Sequence, residues 1–274
     1  KGKIIPQDLD KARKIADKKL RNHESEYLMI LGKISRKKNK YEDSIKYFLK
    51  SIEGSNSESM YSYAKMLYKG EGQLLNKEKS LEYFRRAIDK GHVKSMFRYG
   101  RIMKEDLSNN EEGNKYIKKS ADFGYNKACY YYSMILEKGE GIEINKEESK
   151  RYLREGARLG HIESMFKYAN EMIDDTKSKD DSILYLKKLI EEGHIESMYR
   201  YGMMLLKGEG VEKNKKEAAK YLRMAAYCGN PDAMASYGDM LLHGDEIPVD
   251  KEEAVKLIKR GIELGSDEQL CLYA

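Results

Sequence analysis

The chain has 274 residues, with 52 basic and 46 acidic side chains, a net charge of +6, 40% apolar residues and only three prolines. No run of eighteen apolar residues occurs, so no membrane-spanning helix is expected, and the charges are largely interspersed, which argues against a nucleic-acid-binding surface. Cys129, Cys228 and Cys271 are odd in number and follow no regular pattern, so a reducing, cytoplasmic compartment is expected rather than a disulfide framework.

No signal peptide is visible at Lys1. Within residues 1–22, Leu9, Ala12, Ile15, Ala16 and Leu20 predict a single helix, either a cap or the second half of a truncated repeat. Residues 24–56 follow as one helix pair, with Leu31-Gly32 in its first helix and Ser44, Phe48 and Ser51 in its second. Arg36-Lys37-Lys38-Asn39-Lys40 is the densest basic run and is read as a solvated loop, not as a phosphate-binding patch.

From residue 57 to 265 the sequence repeats six times. The copies start at Met60, Met96, Cys129, Met165, Met198 and Met234, spaced alternately by 36 and 33 residues, and this periodicity overrides the length-based expectation of one or two ordinary domains. Counting from each start, position −1 is small: Ser59, Ser95, Ala128, Ser164, Ser197, Ala233. Position +3 is always tyrosine: Tyr63, Tyr99, Tyr132, Tyr168, Tyr201, Tyr237. Position +4 is small again: Ala64, Gly100, Ser133, Ala169, Gly202, Gly238. Position +7 is apolar: Leu67, Met103, Leu136, Met172, Leu205, Leu241. That spacing marks one face of a helix, and small residues at +4 let a neighbouring backbone come close.

A turn follows. Gly70-Glu71-Gly72, Gly139-Glu140-Gly141 and Gly208-Glu209-Gly210 could each be taken for a phosphate-gripping loop, but the element recurs with the period and carries no Gly-Lys-Ser/Thr. A second helix then carries Ser80, Ser149, Ala218 and Ala254 at +20 and Tyr83, Tyr152, Tyr221 and Leu257 at +23, with Tyr116 and Tyr185 in the shorter copies. It ends near Gly91, Gly124, Gly160, Gly193, Gly229 or Gly265, the expected left-handed cap. One helix–turn–helix unit cannot cover its own apolar face, so the units must stack. Residues 266–274 begin a further first helix through Leu270, Leu272, Tyr273 and Ala274 and break off, so the chain is expected to be a fragment of a longer array or a larger protein.

The segment "SMYRYGMMLLKGEGVEKNKKEAAKYLRMAAYCG", Ser197–Gly229, resembles the Sel1-like repeat, a relative of the tetratricopeptide repeat, nearly throughout. The main departure is tyrosine at +3, where that family usually has leucine. Residues 24–56 and the two shorter copies look closer to tetratricopeptide units. The resemblance covers residues 24–274 and implies an all-α fold, a right-handed α-solenoid of about seven helix–turn–helix pairs. One branch of the family, described as penicillin-binding and β-lactamase-like, carries two cysteines per repeat. This chain lacks them, and that activity is not carried over.

Little else suggests a reaction. His92, His161 and His194 each follow a repeat-ending glycine, a column that favours a turn role over a ligand cluster. No His-Glu-x-x-His, paired Cys-x-x-Cys or Gly-x-Ser-x-Gly occurs. Glu147-Glu148, Asp174-Asp175 and Glu252-Glu253 fall in turns or at helix starts, where carboxylates suit the helix dipole, and most of the fourteen methionines fall in packed columns. No catalytic residue, metal or cofactor is expected.

On a helical wheel, positions −2, +1, +5 and +8 cluster away from the packed edge of the first helix. The tetratricopeptide resemblance implies that they line a concave groove. Partner-binding candidates are the +1 aromatics Tyr61, Phe97, Tyr130, Phe166 and Tyr199 as anchors, with Lys65, Arg101, Asn170, Met203 and Asp239 at +5 for choice of partner. The same aromatics could instead pack repeat against repeat. The function expected is that of a non-catalytic scaffold, a monomer that binds a protein or peptide and neither nucleic acid nor membrane. The alternative is a regulatory repeat segment of a larger protein carrying an enzymatic domain, for example kinase or ubiquitin-ligase-associated.

Overall fold

The computed structural model describes residues 24–72, 75–173, 179–244 and 246–266. The helix expected within residues 1–22, and the repeat start expected at 266–274 apart from Ser266, lie outside them. The described residues form fourteen helices and no strand. In chain order these are α1 (Glu24–Lys37), α2 (Tyr41–Glu53), α3 (Ser57–Lys69), α4 (Lys77–Asp89), α5 (Val93–Glu105), α6 (Asn110–Asp122), α7 (Asn126–Lys138), α8 (Lys146–Arg158), α9 (Ile162–Met172), α10 (Lys179–Glu191), α11 (Ile195–Lys207), α12 (Lys215–Tyr227), α13 (Pro231–His243) and α14 (Lys251–Glu263). Odd-numbered helices are the first helices of their pairs. They divide into two compact units, one ending at Tyr152 and the other beginning at Leu153.

Ten of the fourteen described helices open on a side-chain cap. Asn56 and Asn230 accept the backbone N–H groups of Ser59 and Ala233 and so cap α3 and α13. At α5, α9 and α11 the ring Nδ1 of His92, His161 or His194 accepts the N–H of Ser95, Ser164 or Ser197. The histidine column is thus a set of helix caps. Second helices are capped by Asn76, Asn109, Asn145, Asn214 and Asp250. Gly70, Gly139, Gly208 and Gly244 close the first helices of the longer repeats in the left-handed conformation.

Within a pair, the small column is where two backbones meet. A Cβ placed on Gly100 would lie 2.7 Å from the Gly113 carbonyl oxygen, and one on Gly113 would lie 2.8 Å from that of Gly100. Buried serines of the second helix use the same closeness. Ser44, Ser80 and Ser149 donate their hydroxyls to the carbonyls of Gly32, Ala64 and Ser133, each at 2.8 Å. The +3 tyrosines are all buried. Five of them meet a second-helix tyrosine edge to face: Tyr63–Tyr83, Tyr99–Tyr116 and Tyr132–Tyr152 in the first unit, Tyr168–Tyr185 and Tyr201–Tyr221 in the second, with ring centroids 4.9–5.7 Å apart. The core of the first unit runs through Phe48, Met66, Phe84 and Tyr99, and that of the second through Leu186, Met204, Leu222 and Met240. Met224 is exposed, so the methionine columns are core with exceptions.

Candidate binding face on the first helices

Three of the +1 rings lie at seams. The Tyr61 ring stands 5.9 Å from that of Phe84 on α4 and 4.9 Å from His92, the cap of α5. Phe97 repeats this with Tyr125, which precedes α7, at 5.4 Å and adds Tyr131 at 5.2 Å. In the second unit Phe166 faces His194 at 5.1 Å. In these three cases the ring on one first helix rests against the residue that opens the next. Tyr61, Tyr130, Phe166 and Tyr199 are half-buried, whereas Phe97 is only 8% exposed.

The +5 residues are less alike than their spacing suggests. Arg101 is held by both oxygens of Glu105 at 2.7 Å and lies over the Tyr131 ring, 4.7 Å from its centroid. Asp239 lies 3.2 Å from His243 on its own helix. Met203 is buried, and the buried Oδ1 of Asn170 has no hydrogen-bond partner among the described residues. Lys65 rests 5.3 Å from the centre of the Tyr61 ring. Burial pushes its ammonium group downward in pKa, and the nearby charges of Arg36, Lys69 and Arg98 push the same way.

Other charges stitch neighbouring first helices. Arg36 of α1 donates to both oxygens of Glu71, at 2.6 and 3.0 Å, and Lys104 of α5 reaches Glu140 at 3.0 Å. At Glu71 and Glu140 the middle residue of the Gly-Glu-Gly turn therefore takes a cation from the preceding repeat. Glu58 accepts from His92 at 3.0 Å and pairs with Lys33 at 2.7 Å, and these partners hold its carboxyl down to about 2 against the penalty of burial. Arg98 and Tyr131 at +2 and Tyr68 at +8 also belong to this face. The wheel of −2, +1, +5 and +8 passed over +2, although that column carries Arg98, Tyr131, Lys167 and Arg200. Among the described residues no cluster of three or more His, Cys, Asp or Glu side chains is placed to hold a metal ion, and no helix is long and apolar enough to cross a membrane.

The signature of the Sel1 repeat matches residues 57–92, 126–161, 195–230 and 231–266, more than half of the chain. The chain belongs to the Sel1 repeat family. Its solenoid fold is shared by a protective antigen present in uropathogenic Escherichia coli strains, which displays an SLR fold, at 21% identity and a TM-score of 0.68. The alignment covers 94% of this chain, which spans 61% of that protein. A Sel1 repeat protein from Oxalobacter formigenes matches at 20% identity and a TM-score of 0.65, over 98% of this chain and 81% of its own. Comparison with curated proteins gives no match. Each matched Sel1 block opens at the start of a first helix and runs three residues past the end of its second, so every candidate residue except Phe97, Arg101, Phe166 and Asn170 falls inside one. The Sel1 solenoid is commonly a protein-interaction scaffold.

Proposed function

We propose that this Sel1 protein is a non-catalytic scaffold, a monomer in a reducing compartment, that holds a protein or peptide partner along the first-helix face. The observation carrying the reading is the half-buried aromatic at +1. Tyr61, Tyr130, Phe166 and Tyr199 are each partly buried and partly exposed, the setting from which interface anchors are made. Beside them the +5 residues change from Lys65 through Asn170 to Met203, so the anchor stays aromatic while the neighbouring chemistry varies.

Peptides selected from a random display library on the wild-type protein provide the test. Replacing Tyr130, Phe166 or Tyr199 by Ala is expected to lower affinity by about 2 kcal/mol while helical content holds. Phe97→Ala, at a buried ring with two aromatic neighbours, is expected to cost about 3–5 kcal/mol of folding instead. If the three half-buried positions also collapse the melting temperature, the ladder is packing alone. If stability and affinity both hold, the partner docks elsewhere.

A further inference from the structure

The first-helix cations of the first unit are not all neutralised. Lys33, Arg36, Arg101 and Lys104 each have a carboxylate within 2.6–3.0 Å. Lys65 and Arg98 have none at ion-pair distance among the described residues. Both are half-buried and both lie on tyrosine rings, Lys65 on Tyr61 and Arg98 on Tyr68, 5.3 and 5.0 Å from the ring centres. The carboxylate nearest in kind, Asp106, is already taken by the Tyr68 hydroxyl and by Lys77 at 3.1 Å. Lys65 also lines a cleft of about 430 Å³ between α1 and α3, whose two carboxylates, Glu58 and Glu71, are engaged with Lys33 and Arg36. In the second unit the first-helix cations are satisfied: Lys167 by Glu171, and Arg200 and Lys207 by Glu209.

Two adjacent cations that are partly desolvated, without an ion-pair partner and fixed on aromatic faces are disfavoured in the free protein, because each repels the other while giving up water. An outside anion converts that cost into attraction. We propose that Lys65 and Arg98 seat the carboxylates of an acidic, Asp- or Glu-rich segment of a protein partner, with Tyr61 and Tyr68 as the floor of the site. The proposal rests on the scaffold reading and names its partner's chemistry. Charge complementarity places such a segment on α3 and α5. The second unit offers it no unpaired cation on a first helix, and Arg101, bound to Glu105, is not a selector of charge.

The test is fluorescence anisotropy with a labelled octaglutamate peptide at low and moderate salt. Binding is expected, weakening as salt screens the charges. It should fall about tenfold or more in the double variant Lys65→Met/Arg98→Met, as loss of desolvated charge pairs does. It should be unchanged in Lys187→Met/Arg223→Met, which removes two cations from second helices. Lys65→Met alone should melt at the same temperature as the wild type or higher, because it relieves repulsion; a structural cation would instead lower it. The proposal is overturned if octaglutamate does not bind, or if the double variant binds within about twofold of the wild type. It is equally overturned if a phosphoserine peptide of equal net charge binds more tightly, which would assign the site to phosphate. A library-selected peptide that loses affinity with Phe166→Ala but not with the double variant would overturn this proposal and leave the scaffold reading standing.

Discussion

At the scale of single residues, glycine works here by two separate mechanisms, and substitution tells them apart. Gly91 has φ +76°, and an added Cβ would meet nothing within 4 Å, so only its backbone conformation demands glycine. Gly91→Ala is expected to cost about 1 kcal/mol, the left-handed penalty less what the stiffer unfolded chain returns, and Gly91→Asn should recover most of it. Gly100 is helical, and its constraint is contact with the Gly113 carbonyl. Gly100→Ala should cost about 1–3 kcal/mol despite alanine's better helix propensity, with no relief from Asn. Urea denaturation of the four variants checks both; a neutral Gly100→Ala would mean the helices part freely. Glu58 gives a pH signature. Its carboxyl is held down to about 2 by His92 and Lys33, below the ordinary value of 4.5. A lowered carboxylate stabilises above its unfolded pKa, and the contribution disappears as pH falls from about 4.5 to 2. With solvent screening at this partly exposed site the contribution is on the order of 1–2 kcal/mol. Glu58→Gln should therefore lower stability at neutral pH and flatten its fall over that window, and an acid titration as steep as the wild type's would place the protonation elsewhere.

At the scale of the helix, a first helix is linked to the next through its cap. Phe166 on α9 meets His194 ring to ring at a tilt, while His194 caps α11 through Ser197, so ring contact and cap share one side chain. A double-mutant cycle on Phe166→Ala and His194→Ala should show coupling of about 0.5–1.5 kcal/mol. Additive losses in urea melts would show that the two act independently. The sequence made some of this legible and hid the rest. Columns +3, +4 and +7 could be read because burial on one face imposes a helical period. The repeat-ending glycines could be read because few residues tolerate positive φ. The caps Asn76, Asn109, Asn145, Asn214 and Asp250 were passed over, since a cap lies outside the helix and leaves no period. A basic column on the second helices was missed too: Arg85, Lys118 and Arg154 pair with Glu112, Glu148 and Asp181 of the following repeat. In those pairs the partners lie about thirty residues apart. No local pattern joins them.

At the scale of the whole chain, the candidate face was legible in direction but not in depth. A helical wheel gives the angle at which Phe97 or Met203 leaves its helix. How far the next repeat covers it depends on stacking, which is why Phe97 and Met203 prove buried while Tyr199 stays partly exposed. Stacking also governs how stability spreads. In a repeat array each unit touches only its neighbours, so a local lesion should loosen nearby repeats before distant ones. The cysteines report this directly. Cys129 on α7 is 0% exposed, with its thiol 3.6 Å from the Ala121 carbonyl of α6, and Cys228 beyond α12 is exposed. Iodoacetamide should label Cys228 at the rate of a free thiol. Cys129 should react about a hundredfold or more slowly, through openings that part α6 from α7. Non-reducing mass measurement before labelling should show three free thiols, and a stoichiometric internal disulfide would refute the reducing assignment. Gly100→Ala, which disturbs α5 against α6, should then speed labelling of Cys129 and leave Cys228 unchanged. Equal acceleration at both cysteines would mean that the chain opens only as a whole, and nearest-neighbour coupling would not describe it.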